Sequence, residues 1–296
     1  MADMVVYDDL ASFWSATQAL YTADPVRHTV VLTAITRRLT HPKPDTEPEI
    51  LVTAQENGRL VGAAIQMPPY PLIVGAIPLR LIDDFVATLH QLVPDLGGVN
   101  GDRTTAEAFA AAWSKRTGCT VTEDMAMSLH RLTTLVVPEV RGEMRLATDS
   151  DVEMLGDWHH DFVTEAMSHT PETDVEAGIR REITQGHAHA IWHVGCIPVS
   201  WAAASPPVHN MSRIGPVYTP PVLRNNGYAA AVTAAVATWA RESGADEVLL
   251  YTDLANPTSN ALYQRIGFVP VFDATELSLT PASRTLRHPE SYAQTP

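Results

Sequence analysis

The sequence has few of the residues that mark disulfide-rich, zinc-binding or membrane proteins. Its 296 residues include two cysteines, Cys119 and Cys196, which are far apart and form no CxxC motif. A disulfide framework and a cysteine-rich zinc site are therefore not expected. No apolar run reaches the roughly 18 residues that a membrane span needs, and no charged segment followed by an apolar one opens the chain. We expect a cytoplasmic protein with no membrane partner.

Lysine is also scarce. Lys43 and Lys115 are the only lysines, and 20 basic residues stand against 34 acidic ones, for a formal net charge of −14. Because nucleic-acid binding depends on Lys and Arg side chains that neutralise phosphates, we expect no nucleic-acid partner. The arginines that carry most of the positive charge suit fixed contacts with a phosphate or a carboxylate.

Length, hydrophobic content and hydrophobic periodicity predict two domains of mixed α/β structure. In the first half, a strand hairpin at Asn57-Gly58 and helices over 79–92 and 105–115 lead to a strand over 127–137. In the second half, Asp149 or Ser150 is predicted to cap the first helix. The remaining predicted strands of that half lie at 144–146, 188–194, 199–204, 214–218, 248–251, 268–271 and 276–279.

The segment from Gly215 to Ala229 predicts an anion site. A strand there runs into a turn that opens a long alanine-rich helix. The backbone amides at a helix N-terminus lack partners and have a positive dipole behind them. Gly227 allows close approach to the backbone, and Arg224 adds a charged fork. The alternative is that Asn226-Gly227 only makes a tight loop.

A second pattern follows the buried strand at 248–251. Asn256 precedes a predicted helix, Tyr263 lies seven residues further on, and Gly267-Phe268 closes the segment. A tyrosine on that helix can donate its proton to a departing group. The alternative is an ordinary half-buried tyrosine.

Together these residues resemble the GNAT superfamily of N-acetyltransferases. Its coenzyme signature, Arg/Gln-x-x-Gly-x-Gly/Ala, is matched by Arg224, Gly227 and Ala229, and its later pattern is matched by Asn256 and Tyr263. The resemblance covers roughly residues 144 to 280. It implies an acyl-CoA N-acyltransferase fold, acetyl-CoA as co-substrate, no metal, and direct attack of a primary amine on the thioester.

The resemblance also implies a role for individual residues. Val217 and Thr219 would pair with the pantetheine amides and polarise the thioester carbonyl, and Tyr263 would protonate the leaving thiolate. Glu165, with His159, His160 and His169 nearby in sequence, is a candidate acceptor-site base. The implied coenzyme-binding residues are Val217, Tyr218, Thr219, Arg224, Asn225, Asn226, Gly227, Tyr228, Ala229, Asn256, Ser259 and Tyr263. The acceptor would be a small-molecule or peptide amine, and the protein a monomer or homodimer.

The run from His187 to His193 places three histidines on one face if it is a strand. No cysteine or carboxylate stands beside it at metal-ligand spacing, so we expect no metal there and place these histidines near a cleft or on the surface.

Residues 1–140 repeat the coarse element order of residues 141–296. At the strand-to-helix junction of the first half, Ile77 to Ile82 stands in place of the coenzyme signature. We therefore expect a tandem protein with a degenerate GNAT-like domain at 1–140 and a catalytic domain at 141–296. An unrelated cap domain is the alternative for the first half. A non-catalytic coenzyme A-binding sensor or interaction module is the alternative for the function.

Overall fold

A computed structural model describes residues 2–42, 48–166 and 174–282. Helices cover both faces of a mixed sheet, which has twelve strands within those ranges. The first half contains β1 Asp3–Val6, α1 Leu10–Thr22, α2 Thr29–Thr40, β2 Ile50–Glu56, β3 Arg59–Gln66, β4 Leu72–Ala76, α3 Ile82–Leu92, β5 Gly98–Asp102, α4 Arg103–Thr117 and β6 Thr120–Leu132. The second half contains β7 Glu143–Leu146, α5 Val152–Ala166, α6 Val175–Thr184, β8 Ala188–Val194, β9 Ile197–Ala204, β10 Met211–Tyr218, α7 Tyr228–Glu242, β11 Glu247–Asp253, α8 Pro257–Arg265 and β12 Phe268–Thr280.

The two halves have the same element order and share one sheet. Its strand order is β1-β2-β3-β4-β5-β12-β6-β11-β10-β9-β8-β7. Exchanging each strand with its counterpart in the other half gives the same order reversed, so the halves are related by a pseudo-two-fold axis. The last strand of each half lies within the other half's part of the sheet, because β12 separates β5 from β6 and β6 separates β12 from β11. The domain boundary at 140/141 stays a prediction.

Alternate strand residues place the helices of the second half on opposite faces of the sheet. Helices α5 and α6 pack on Ile191 and Trp201. Helix α7 packs on Ala190 and Ala202, the sequence neighbours that point the other way. The first half has the same two layers, with α1 and α2 on one face and α3 and α4 on the other.

The largest differences from the predicted strands lie near the join of the two halves. The predicted strand over 127–137 is instead β6, which begins at Thr120 and ends at Leu132. Beyond Leu132 the chain is held beside the residues before β12, because the N–H groups of Thr133 and Val136 donate to the carbonyls of Gly267 and Ile266. The two predicted closing strands are one strand, β12, whose register shifts between Pro270 and Phe272. The polar residues at the start of β6 hide the strand pattern, and a bulge bends β12 without ending it.

The predicted cap of α5 was wrong by one or two residues. Thr148, rather than Asp149 or Ser150, begins the helical segment, through a capping box with Asp151. The Asp151 carboxylate accepts from the backbone N–H of Thr148 at 2.8 Å and binds both outer nitrogens of Arg145 at 2.6 and 2.7 Å. The ion pair with Arg145 therefore holds the Asp151 carboxylate where it can accept from the N–H of the N-cap residue, Thr148.

No helix in the described ranges combines the length and apolar character needed to cross a lipid bilayer.

Candidate active site

A wedge opens in the sheet between β10 and β11. The two strands run parallel, and their pairing ends at Ile214 and Leu250. Beyond that point Val217 and Tyr218 of β10 pair with β9, whereas β11 pairs with β6 as far as Asp253. Here β10 stays paired with β9 and β11 with β6, but β10 and β11 no longer pair with each other. The end of β10 therefore borders an opening in the sheet.

The turn after β10 presents free backbone donors at the head of α7. Helix α7 begins at Tyr228, and Gly227 before it has a left-handed backbone (φ +81°) and no capping side chain. In the part of the chain that the structure describes, no group accepts from the N–H of Asn225, Asn226, Gly227, Tyr228 or Ala229. These amides and the helix dipole form a site suited to an anion.

Glycine is required at 227 for two reasons. Its positive φ disfavours any residue with a Cβ, and a Cβ built there would lie 2.9 Å from Cγ2 of Val140. Val140 belongs to the segment that joins the halves, so this segment packs directly against the turn.

Two predicted coenzyme residues brace this turn with their side chains. The Nε of Arg224 donates to the carbonyl of Thr219 at 2.9 Å. The Nδ2 of Asn226 donates to the carbonyls of Leu223 and Arg224 at 3.0 and 3.1 Å. The turn is therefore held in one shape by its own side chains.

The structure brings together two residues that the sequence analysis placed at opposite ends of the reaction. The Nη2 of Arg224 lies 2.6 Å from Oε2 of Glu165 at the end of α5. The Cζ of Arg224 also lies 5.9 Å from the centre of the Tyr218 ring, and the Tyr218 hydroxyl donates to Oδ2 of Asp161 at 3.1 Å. Burial, with help from the Asp161 carboxylate, raises the pKa of Tyr218 to about 12.

Ser200 of β9 was not predicted as a site residue. Its buried hydroxyl donates to the carbonyl of Tyr218 at 3.0 Å and lies 2.8 Å from Oγ1 of Thr219. Ser200 thereby fixes the end of β10 where the wedge opens. An isolated serine within an apolar strand gave no signal of this role, because the partner strand lies nearly twenty residues further along the chain.

The two residues of the second motif, Asn256 and Tyr263, have different roles in the structure. Asn256 is the N-cap of α8, and its side chain accepts from the N–H of Ser259 at 3.1 Å. Tyr263 lies on α8 with its ring edge-on to Phe268, 6.2 Å between centroids. Within the described residues its hydroxyl makes no hydrogen bond, and burial raises the pKa of Tyr263 to about 12. The phenol is therefore a protonated donor near neutral pH.

The remaining histidine predictions have mixed outcomes. His169 lies outside the described residues. His189 is buried rather than near a surface, because its ring stacks on Trp201 and its Nε2 lies 3.1 Å from a carboxylate oxygen of Glu182. Across the described ranges, no group of three His, Cys, Asp or Glu side chains could hold a metal ion.

The pseudo-two-fold counterpart of the wedge lies between β4 and β5, whose parallel pairing also ends early, at Ile73 and Asn100. A Cβ on Gly101 would lie 3.2 Å from the backbone nitrogen of Gly75. Arg27 lies across the end of β5, with Nη2 3.1 Å from Oδ2 of Asp102. The first half therefore keeps the strands but offers little room between them.

Comparisons with known proteins agree with this geometry. Residues 152–268 match the profile of the acetyltransferase (GNAT) family. A comparison with curated protein sequences gives no match.

Three solved structures show the same fold over nearly the whole chain. A GCN5-related N-acetyltransferase from Sphaerobacter thermophilus has a TM-score of 0.64 at 15% identity, over 94% of this chain and 96% of that one. A GNAT-family acetyltransferase from Colwellia psychrerythraea has a TM-score of 0.61 at 11% identity, over 95% and 100%. A tandem GNAT protein from the clavulanic acid biosynthesis pathway has a TM-score of 0.55 at 12% identity, over 95% and 98%.

The family match covers α5 to the start of β12 and therefore includes the wedge, the turn and Tyr263. Residues 152–268 thus match the acetyltransferase (GNAT) family, and the chain as a whole has the fold of these three structures.

Proposed function

We propose that the protein transfers an acetyl group from acetyl-CoA to a primary amine at the wedge between β10 and β11. The observation that carries this proposal is the row of unpaired amides from Asn225 to Ala229 at the head of α7. An anionic group is the natural occupant of such a helix end, and Arg224 stands beside it. The pyrophosphate of coenzyme A supplies that anion.

The opening of the sheet fits the arm of the same molecule. Val217 is half-buried and lies beyond the point where β10 stops pairing with β11. We assign Val217 and Thr219 to the pantetheine amides and the thioester carbonyl. Tyr228 and Ser259 lie at the starts of α7 and α8, where we expect them to contact the coenzyme.

Tyr263 is the proposed acid of the reaction. As the amine nitrogen bonds to the thioester carbon and the carbon–sulfur bond breaks, the Tyr263 hydroxyl gives its proton to the departing sulfur. The proton that the amine nitrogen loses on forming the amide passes through solvent and restores the phenol. A pKa of about 12 keeps this hydroxyl protonated at neutral pH. The turn and the wedge contribute by fixing the reactants and by stabilising charge on the carbonyl oxygen.

The acceptor is proposed as a small-molecule or peptide amine that approaches along the end of α5. Asp161 and Glu165 lie one turn apart on that helix, next to Tyr218 and Arg224. Carboxylates at this position suit an ammonium group. Glu165 is not a free base in this arrangement, because its carboxylate is bound by Arg224.

The test is equilibrium binding of coenzyme A to the full chain, followed by release of the free thiol from acetyl-CoA with a panel of amines. We expect one coenzyme per chain and amine-dependent thiol release. Arg224→Ala should weaken coenzyme binding about tenfold, since it removes a charged donor. A chain that binds no coenzyme A would contradict the proposal.

A further inference from the structure

The ion pair between Glu165 and Arg224 joins α5 to the turn in front of α7. The residues are 59 positions apart in sequence, and their contact is 2.6 Å long. Each side chain is 42% exposed. An ion pair as exposed as this one contributes little to stability, so opening it costs little.

Arg224 has a limited set of donors for its partners. Its Nε is used by the Thr219 carbonyl, which fixes the plane of the guanidinium group near the Tyr218 ring. The outer nitrogens remain for an anion, and Glu165 already binds one of them. A pyrophosphate beside the turn would need the same outer nitrogens, and its two phosphoryl groups together carry two negative charges against one on the carboxylate.

We propose that Glu165 is a positioning residue, which holds the Arg224 guanidinium in place until a coenzyme phosphate replaces it. This inference rests on the proposed coenzyme site. Once displaced, the Glu165 carboxylate is one helical turn from Asp161 and is free to bind the ammonium group of the acceptor. Coenzyme therefore binds first, and its binding creates part of the acceptor site.

The contact predicts the direction in which removal of Glu165 changes the affinity for coenzyme A. If Glu165 only supported Arg224, its removal would weaken coenzyme binding. If it competes with phosphate, its removal strengthens that binding. Glu165→Gln should tighten the dissociation constant for coenzyme A about two- to fivefold, the range expected from loss of an exposed ion pair.

Two further variants separate direct contact from long-range charge. Glu165→Asp keeps the charge but shortens the side chain by one methylene, so it should also tighten binding. Asp157→Asn removes a charge from the same face of α5, two turns away, where Asp157 is exposed and has no hydrogen bond or ion pair among the described residues. Asp157→Asn should leave the dissociation constant within about 1.5-fold of wild type, because solvent screens a charge at that distance.

The experiment is titration calorimetry of coenzyme A into the full-length wild type and these variants, with a double-mutant cycle through Arg224→Ala. In the Arg224→Ala background, Glu165→Gln should have no effect on affinity. Unchanged or weaker binding by Glu165→Gln overturns the inference. Tightening by Glu165→Gln but not by Glu165→Asp also overturns it, because repulsion without contact would then explain the effect. A wild type that binds no coenzyme A sinks the proposed function itself.

Discussion

The two halves of the molecule differ most clearly at the junction between the fourth strand and the third helix. In the second half, α7 begins Tyr228-Ala229-Ala230, with no carboxylate in its first turn. In the first half, α3 begins Ile82-Asp83-Asp84. Carboxylates in the first turn neutralise the positive end of a helix and repel an incoming anion. The same fold therefore keeps a helix start suited to an anion in one half and a helix start that disfavours an anion in the other.

The helices that follow the fifth strand show a second difference. Asp102 and Asn256 are the N-caps of α4 and α8, and each accepts from a backbone N–H three residues on. Seven residues after these caps lie Phe109 and Tyr263. The ring position is kept, but only the second half has a hydroxyl group there. The first half is thus a built-in control for the chemistry assigned to the second.

The largest expected effect comes from Tyr263→Phe, which gives the second half the residue of the first. We expect kcat to fall about 100-fold, as for loss of a general acid, while the dissociation constant of coenzyme A stays within about twofold. Steady-state kinetics and calorimetry measure the two quantities. Because the pKa of Tyr263 is about 12, wild-type activity should show no loss from this group below about pH 11.

The reciprocal variant sharpens the comparison. Phe109→Tyr places a hydroxyl at a fully buried position, so it should destabilise the protein by about 1–3 kcal/mol and add no activity. Chemical denaturation measures the loss. A gain in turnover would contradict this expectation, because it would mean that the first half lacks only this hydroxyl group for activity.

Gly227→Ala should have the next largest effect. The positive φ and the nearness of Val140 oppose a Cβ, so we expect coenzyme A to bind at least about tenfold more weakly, with a stability loss of about 1–2 kcal/mol. Gly58→Ala is the matched control. Gly58 has φ +73° with no atom within 4 Å of a built Cβ, so its substitution should cost about 1 kcal/mol and leave coenzyme binding intact. Equal affinities for the two variants would argue against a coenzyme site at this turn.

Ala229→Asp copies the first half's Asp83 onto α7. A carboxylate at the second helical position should weaken coenzyme A binding about five- to tenfold, while it stabilises the helix by about 0.3–1 kcal/mol. We therefore expect the affinity for coenzyme A to fall while the thermal stability rises. Loss of both would indicate a disrupted turn rather than a blocked anion site.

The smallest effects concern the start of each half. Arg145, and then the backbone N–H of Thr148, hold the pKa of Asp151 well below its usual range, against the opposing effect of burial. Asp151 therefore contributes stability that is present above about pH 4 and is lost as pH falls below that value. We expect Asp151→Asn to lower the free energy of unfolding by about 1–2 kcal/mol at pH 7, because it loses a charged pair with a half-exposed arginine.

Asp9 lies at the start of the corresponding helix of the first half, as its N-cap. It caps α1 through the N–H of Ser12 and is fully exposed. Asn is an equally good N-cap, so Asp9→Asn should leave the urea midpoint nearly unchanged. Urea unfolding at pH 7 and pH 3 measures both variants, and the deficit of Asp151→Asn should shrink at the lower pH. A deficit independent of pH would assign the effect to packing instead of charge.

The residues predicted from sequence for the site were found where local rules govern structure. Arg224, Gly227 and Ala229 sit at a strand-to-helix turn, and Tyr263 follows its cap by a fixed helical spacing, so a short stretch of chain sets each of them. The role of Asn256 as a helix cap follows from the same local rules. The contact of Arg224 with Glu165 could not be predicted, because it joins segments far apart in sequence.

The sequence by itself determined the mixed α/β class, the repeated element order and the motif that resembles the GNAT signature, since propensity, periodicity and turn chemistry act over a few residues. Tertiary structure alone decided that β6 and β12 exchange places, that β10 separates from β11 at the wedge, and that Glu165 binds Arg224. Each of these depends on pairing between distant segments, for which the physical determinant is the register and packing of the whole sheet rather than the chemistry of any one stretch.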